Sequence, residues 1–346
     1  ASLEKLRQAT GSAAKAIRNA GAKSFAVPAQ DLARLLTSAP AVNRVRDVAQ
    51  TLSEGALLGL YQFTTYRTER TDDTSKAVRK MSVVVSDPRA LAQARQGVRQ
   101  GQIIGEATTF VRDLCNHPAN VVTPTYIANA AKKIARERGV SAKVLDRPAM
   151  QRLGMGALLG VARGSHEPPK FVILEYRGGP RSARPVALVG KTVTFDSGGI
   201  SLKPADNMEL MKADMTGGAV VLATVRAASR LRLPINIVAL IPATENMPGG
   251  SATKPGDILT SLSGKTIEVI NTDAEGRLIL ADGLTYANRY KPEVVVDIAT
   301  LTGACVVALG NHAIGVLGNN DKLIGELTAA GEQCGERAWQ LPLWEE

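Results

Sequence analysis

The chain has 346 residues, of which 45% are hydrophobic, and its formal net charge is +10. This length predicts two domains rather than one, and the composition predicts an α/β protein with a large buried core. No run of about 18 apolar residues occurs, so we expect no membrane-spanning helix and no membrane partner. The first residues lack the apolar segment of a signal peptide, which favours a cytoplasmic protein if the native chain begins here.

The positive charge is concentrated towards the N-terminus. Residues 1–115 hold 17 Lys and Arg against 10 Asp and Glu, a balance of +7. Such an excess is one feature of nucleic-acid-binding proteins, because Lys and Arg neutralise phosphates. The basic residues are scattered singly along the chain, which favours the alternative of a solvated surface.

The three cysteines, Cys115, Cys305 and Cys334, are odd in number and far apart. This pattern fits neither a disulfide framework nor a zinc ribbon. Free cysteine is often buried, so we expect reduced and mostly buried thiols. The three histidines have no zinc-ligand spacing either, and we expect them to be structural or exposed.

Residues 1–87 predict a small N-terminal α/β domain in which helices and short strands alternate. The predicted helices are 5–20, 31–36 and 42–61, the predicted strands are 23–27 and 81–85, and 67–80 is a predicted loop. A long helix over 90–115 then predicts an interdomain linker covering residues 88–117.

Residues 118–346 predict a larger catalytic α/β domain. The predicted helices are 123–138, 207–231 and 278–290, and the predicted strands are 142–145, 170–176, 186–189, 234–241, 268–270 and 293–298. Continuous apolar strands separated by helices indicate a mixed sheet that is covered by helices on both faces. Ligands in such folds bind beyond the strand ends.

The stretch 271–278, NTDAEGRL, carries two carboxylates in close succession. Asp273 and Glu275 are two residues apart, so in an extended loop their side chains share a face. Gly276 permits a tight turn and Arg277 adds a cation. Two carboxylates held this close repel each other unless a positive charge lies between them. The pair predicts a metal site, with a capped helix start as the alternative.

A second acidic turn follows the strand predicted at 186–189. Gly190-Lys191-Thr192 superficially resembles a phosphate-binding loop, but that motif requires glycine where this chain has Pro185. We therefore reject a nucleotide site. Asp196 precedes Ser-Gly-Gly, a flexible turn that can bring a carboxylate close to an ion. Lys203 and Asp214 follow, and each alone has an ordinary surface or turn interpretation.

Together these motifs resemble the leucyl aminopeptidase family, the cytosolic di-metal exopeptidases. The octapeptide 271–278 is similar to the signature of that family in full. The resemblance continues through Thr194–Lys203, Met211–Asp214, Glu245–Gly250 and Ala299–Ala304. It extends from about residue 90 to the end of the chain.

The resemblance implies two divalent metal ions per subunit, zinc or manganese, with magnesium as a further choice. Five residues match its metal ligands, namely Lys191, Asp196, Asp214, Asp273 and Glu275. By resemblance, Asp196 and Glu275 bridge the two ions, and Asp273 completes the more exchangeable site. Lys191 and Asp214 complete the tighter site, for which the lysine must be neutral.

The resemblance also implies the reaction. Lys203 would hold the substrate carbonyl oxygen, and Arg277 would anchor a bicarbonate that acts as general base. Met211, Thr300 and Leu301 would line the substrate pocket. The implied activity is release of the N-terminal residue, preferably Leu-like, from peptides. The family assembles as hexamers, so we expect a homohexamer.

Two positions depart from the family pattern. Thr192 stands where the family usually has glycine, beside the proposed lysine ligand. The family also continues beyond the point where this chain stops, so we expect the catalytic domain to be C-terminally incomplete. The alternative functions are a nucleic-acid-binding protein on the same scaffold, which a salt-dependent DNA gel shift would distinguish, and an inactive paralogue. Another di-metal hydrolase such as a phosphatase is compatible with the carboxylates alone.

Overall fold

The computed structural model describes residues 2–35, 44–69 and 76–344. Two compact units form, one from residues 1–106 with 302–346 and the other from residues 107–301. Both contain helices and strands, which confirms the predicted α/β class. The domain boundaries at 87 and 117 stay a prediction, and parts of the predicted helices 31–36 and 42–61 and of the loop 67–80 lie outside the described residues.

The α-helices of the described residues are α1 (Leu3–Asn19), α2 (Ala29–Leu35), α3 (Arg44–Leu60), α4 (Leu91–Asn116), α5 (Pro124–Ile134), α6 (Arg147–Leu153), α7 (Gly156–Val161), α8 (Thr216–Leu231), α9 (Glu275–Ala287), α10 (Ala304–Leu309) and α11 (Asp321–Cys334). The strands are β1 (Ser24–Pro28), β2 (Lys80–Val84), β3 (Val140–Leu145), β4 (Lys170–Arg177), β5 (Val186–Gly190), β6 (Thr192–Asp196), β7 (Asn236–Asn246), β8 (Ile258–Thr260), β9 (Thr266–Glu268), β10 (Val294–Ile298), β11 (Ile314–Val316) and β12 (Ala338–Gln340). None of these helices is long and apolar enough to cross a bilayer.

The unit that begins the chain is built on a close helix pair and a short parallel sheet. Helices α1 and α3 pack together where glycines face each other, because a β-carbon on Gly59 would lie 2.6 Å from the Cα of Gly11. Strands β1 and β2 pair in parallel from Ser24 with Lys80 onwards. Val48 and Leu52 of α3 are buried in the core of this unit.

The second unit contains a mixed six-stranded sheet in the order β10-β5-β7-β4-β3, with β6 also paired to β7. Strands β10, β5, β7 and β6 run in the same direction, whereas β4 is antiparallel to both β7 and β3. Strands β5 and β10 end side by side at Gly190 and Ile298, and β6 continues along the second half of β7 beyond this point. This mixed sheet confirms the predicted architecture.

Both faces of the sheet are buried under helices, as the apolar strands indicate. Along β7, Ile237 and Ile241 pack with α5 and α8, whereas Val238 and Leu240 pack with α7 and α9. Successive side chains of a strand point to opposite faces. This double cover is consistent with the continuous apolar run at residues 237–243 of β7, which does not alternate with polar residues.

Several element boundaries differ from the predictions. The helix predicted over 207–231 is a 3-10 helix, Met208–Ala213, followed by α8, and the helix predicted through 138 ends at Ile134. The strand predicted at 268–270 lies at Thr266–Glu268 instead. The strand Thr266–Glu268 is set by its antiparallel pairing with β8, which local periodicity does not report.

Some elements have local signals that the sequence analysis did not use. Helix α6 begins after Asp146, whose carboxylate accepts from the N–H of Ala149, and it ends at Gly154 with φ +82°. Both are ordinary helix boundary signals. The three cysteines are free thiols, but Cys334 is exposed and Cys115 and Cys305 are only half-buried, so the expectation of mostly buried thiols is wrong.

Candidate active site

The side chain of Lys191 lies at the carboxyl ends of the parallel strands, directly after β5. Its amine donates to Asp214 Oδ1 at 2.8 Å and to the carbonyl oxygen of Thr300 at 2.7 Å, and it lies 2.9 Å from Glu275 Oε1. Only 3% of this side chain is exposed. The structure thus brings three of the other predicted site residues together around the buried amine of Lys191.

Local backbone structure places each of these partners. Glu275 is the first residue of α9, where a carboxylate interacts favourably with the helix dipole. Asp214 follows the 3-10 helix Met208–Ala213 and precedes α8. Thr300 comes just after β10, and its hydroxyl donates to Asp214 Oδ1 at 2.7 Å. Three separate loops therefore converge on Lys191.

A second lysine joins the other two predicted carboxylates. The amine of Lys203 lies 2.9 Å from Asp196 Oδ2 and forms a short ion pair with Asp273. The backbone N–H of Lys203 donates to the carbonyl oxygen of Ser197 at 2.9 Å, which closes the loop after β6. Lys203 is 22% exposed, so it is the more accessible of the two amines.

Asn246, the last residue of β7, ties the two acidic loops together. Its amide donates to Asp196 Oδ1 at 2.8 Å and to the carbonyl oxygen of Thr272 at 3.0 Å. The hydroxyl of Thr272 in turn donates to the carbonyl oxygen of Gly198 at 2.6 Å and accepts from the N–H of Ser201 at 2.8 Å. Neither Asn246 nor Thr272 is among the predicted site residues, although both lie within stretches that resemble the family, 245–250 and 271–278.

Three buried carboxylates form the centre of the site. One oxygen from each of Asp196, Asp214 and Glu275 lies within 4.8 Å of the others. Asp214 Oδ2 and Glu275 Oε2 are buried and have no hydrogen-bond partner among the described residues. Buried polar atoms without a partner are costly. A cation at this position would satisfy both oxygens.

The electrostatics of the site also favour additional positive charge. With Asp273, the four carboxylates face two ammonium groups, a surplus of negative charge when all are ionised. Burial raises the pKa of Asp214 to about 7, although Lys191 opposes the change. Burial likewise raises the pKa of Glu275, and the nearby charge of Asp196 adds to it. Burial by itself would lower the pKa of Lys191, but Asp214 and Glu275 outweigh it and the pKa is raised.

The donor set fits divalent metal ions. Carboxylate oxygens and an amine nitrogen are ligands that zinc, manganese and magnesium sites use to different extents. The two unpartnered oxygens of Asp214 and Glu275 support this fit to a metal ion, because no protein donor in the described part of the chain reaches them.

The remaining predicted residues lie around this centre rather than in it. Arg277 is exposed, and its side chain forms no ion pair or hydrogen bond with the residues that the structure describes. Met211 is half-buried in the 3-10 helix, and Leu301 is 42% exposed. Thr300 contacts Asp214 directly. It therefore lies beside the carboxylates themselves, whereas a residue that only lines the pocket would lie further away.

Thr192 is accommodated by a glycine on the neighbouring helix. The side chain of Thr192 is fully buried and donates to the carbonyl oxygen of Gly190 at 2.9 Å. A β-carbon on Gly218 of α8 would lie 2.0 Å from the Thr192 hydroxyl. The extra bulk at position 192 therefore occupies the space beside Gly218, while Lys191 still reaches Asp214.

Sequence comparison identifies relatives along most of the chain. The cytosol aminopeptidase family, catalytic domain, matches residues 109–346, and the N-terminal domain of the same family matches residues 1–70. A probable cytosol aminopeptidase of Nitrosococcus oceani is 47% identical over 342 residues, which are 99% of this chain and 67% of the relative. Another from Aromatoleum aromaticum is 52% identical over 319 residues, 92% of this chain and 64% of the relative. The chain thus spans about two thirds of the length of these curated relatives.

Solved structures agree with this relationship. The bottromycin maturation enzyme BotP is 38% identical with a TM-score of 0.86, over 100% of this chain and 70% of that one. BotP in complex with Mn is 37% identical, with the same TM-score, over 100% of this chain and 71% of that one. A tomato leucine aminopeptidase mutant is 33% identical with a TM-score of 0.84, over 100% and 66% of the two chains. The chain therefore belongs to the cytosol aminopeptidase family, which confirms the predicted class of aminopeptidase hydrolases.

Proposed function

We propose that the chain is a di-metal aminopeptidase that releases the N-terminal residue, preferably Leu-like, from peptides. The observation that carries this proposal is the buried cluster of Asp196, Asp214 and Glu275, two of which have an oxygen without a partner. Its position beyond the carboxyl ends of parallel strands is where α/β folds bind ligands.

Five residues would hold two divalent ions: Lys191, Asp196, Asp214, Asp273 and Glu275. When bound, the ions would supply Lewis acidity for the scissile carbonyl and for water, together with a site for the free amine of the peptide. Zinc, manganese and magnesium are all compatible with these ligands. The manganese complex of BotP supports manganese as the first metal to test.

Lys203 would bind the substrate carbonyl oxygen and stabilise negative charge that develops on it. Burial by itself would lower the pKa of Lys203, but hydrogen bonds to Asp273 and Asp196 outweigh it and raise the pKa, so the amine is an ammonium group at neutral pH. A positioned cation of this kind stabilises an oxyanion. The amine is also partly exposed, as a group that meets a substrate must be.

Arg277 would anchor bicarbonate as the general base. Its guanidinium is exposed and has no ion-pair partner among the described residues, so it is available for a planar anion. Met211, Thr300 and Leu301 would line the substrate pocket. The exposed apolar surface of Leu301 supports a preference for apolar side chains.

The decisive experiment is hydrolysis of a leucyl chromogenic amide with and without added Mn²⁺. We expect metal-dependent release by wild type that is lost in Asp273→Ala and Lys203→Ala. Asp206→Ala is the matched control, because Asp206 is exposed and close to Lys203 in the chain. Elemental analysis counts the bound metals. A chain that binds no metal under any loading condition would contradict the proposal.

We also propose a homohexamer in the cytosol. The assembly follows from the family resemblance, and the location follows from the names of the curated relatives. Light scattering tests the assembly, and a monomer at all concentrations would contradict it.

DNA binding is a second candidate function, because residues 1–115 have a balance of +7. A gel shift whose affinity falls steeply with salt would support it. An inactive paralogue is disfavoured, because every proposed ligand position holds a residue type that can bind metal.

A further inference from the structure

A cleft of about 420 Å³ lies between α3, β2 and α4, within the unit that contains residues 1–106. Its surface is mostly apolar and includes Leu57 and Leu60 of α3, Met81 and Val83 of β2, and Val98 of α4. This volume is in the range of small-molecule sites, about 300–1,000 Å³. The cleft contains none of the residues assigned to the aminopeptidase site.

Four cationic side chains also line this cleft. Arg95 and Arg99 are one turn apart on α4, and Arg79 and Lys80 stand at the start of β2. All four are exposed, and none forms an ion pair with a carboxylate in the described ranges 2–35, 44–69 and 76–344. The cleft lining contains no acidic residue. Basic residues that are scattered in the sequence are therefore gathered by the fold around one apolar surface.

This combination defines the ligand chemistry. Like charges one helical turn apart repel each other, and an anion bound between them relieves the repulsion. A nucleic-acid surface presents its cations around polar groups that follow the phosphate backbone. Here the cations surround aliphatic side chains. Burial of an apolar part of the ligand against these side chains would favour binding.

We propose that the cleft binds a small amphipathic anion, with an aliphatic body against Leu57, Leu60 and Val98 and a carboxylate head held by Arg95 and Arg99. Arginine suits this role because its planar guanidinium forms paired hydrogen bonds with a carboxylate. The aliphatic body distinguishes this ligand from the bicarbonate proposed at Arg277.

The test is calorimetric titration of the full chain with decanoate, below the concentration at which decanoate forms micelles. We expect one decanoate per chain, with an affinity that decreases with salt. Decyltrimethylammonium has the same aliphatic chain and the opposite charge, so we expect it not to bind. Equal binding of the two amphiphiles would overturn the proposal.

Two double variants with equal net charge locate the site. Arg95→Gln with Arg99→Gln should weaken decanoate binding by about tenfold or more, because each lost charge-assisted hydrogen bond contributes to affinity. Arg136→Gln with Arg152→Gln is the control, because both residues are exposed and outside the cleft, and we expect unchanged binding. Equal weakening in the two double variants would overturn the assignment.

A third variant tests the apolar wall. Val98→Asp places a carboxylate beside Arg95 and Arg99, where it should compete with the ligand and abolish decanoate binding. Binding of duplex DNA, without decanoate binding, that is lost in the Arg95 and Arg99 variant would replace the proposed ligand class with nucleic acid.

Discussion

Gly276 leaves no room for a side chain beside Lys191. A β-carbon at position 276 would lie 2.6 Å from the Cε of Lys191 and 3.0 Å from its Nζ. The absent side chain is what allows the lysine stem to cross the first turn of α9 and reach Glu275. Gly276, which the sequence predicts to permit a tight turn, thus also has a packing role in the site.

Gly276→Ala should therefore displace Lys191. We expect the free energy of unfolding to fall by about 1–3 kcal/mol, as for overpacking in a core, and metal affinity to fall with it. Chemical denaturation and calorimetric Mn²⁺ titration measure the two effects. Gly325→Ala is the control, because its β-carbon would meet nothing within 4 Å in α11, and we expect it to stabilise the helix slightly. Unchanged Mn²⁺ affinity in Gly276→Ala would contradict this role.

Metal binding should stabilise the folded chain. A ligand at 100 times its dissociation constant stabilises by about 2.7 kcal/mol, so Mn²⁺ should raise the unfolding temperature and a chelator should reverse the change. We expect Asp196→Asn and Asp214→Asn to abolish the shift, because each removes a buried carboxylate of the cluster. Asp206→Asn should retain it, since Asp206 is exposed. A shift of equal size in all four proteins would show that Mn²⁺ binds elsewhere.

Asn246 should act by positioning Asp196. Asn246→Ala removes the hydrogen bonds to Asp196 and Thr272, and we expect Mn²⁺ affinity to fall by about 10–100-fold, as for other residues that support metal ligands. Asn236 at the opposite end of β7 is a matched control, because its amide likewise donates two hydrogen bonds, in this case to the carbonyl oxygens of Pro180 and Ala183.

Both asparagine variants should lose stability, but only Asn246→Ala should lose metal affinity. Denaturant unfolding and Mn²⁺ titration separate the two properties. An equal loss of Mn²⁺ affinity in the two variants would mean that Asn246 contributes to the general stability of the sheet and not to the site.

Asp282 should hold α7 and a neighbouring loop against α9. It is fully buried, and its oxygens accept from the N–H of Leu158 at 2.8 Å and of Leu262 at 2.7 Å. Asp282→Asn replaces one acceptor with a donor that faces an N–H group. We expect a loss of about 1–3 kcal/mol in unfolding free energy, measured by denaturant unfolding. A change as small as that of the exposed Asp206→Asn would contradict the prediction.

The cysteines should differ in reactivity. Burial raises the pKa of the Cys115 thiol, and the hydrogen bond with Thr216 only partly opposes this. Because the thiolate is the nucleophile, iodoacetamide at pH 7.5 should alkylate the exposed Cys334 before Cys115, as followed by peptide mass spectrometry. Raising the pH increases the thiolate fraction of Cys115 and should accelerate its alkylation. Equal rates at pH 7.5 would contradict the prediction.

Local patterns along the chain are enough to predict the class of fold and the residue types of the site. Continuous apolar strands report burial on both faces, and the acidic stretch 271–278 is a local pattern. Such patterns can be recognised without the tertiary structure, because strand and helix periodicity is visible over a few consecutive residues. The family resemblance added roles for Lys191 and Lys203 that periodicity alone does not assign.

The partners of these residues, in contrast, depend on long-range packing. Lys191 meets Asp214 and Glu275, which are 23 and 84 positions further along the chain, because the fold brings the segment before α8 and the first residue of α9 next to the end of β5. Asn246 reaches Asp196 through the register of β6 on β7. Register depends on the sum of many distant side-chain contacts and not on any local pattern.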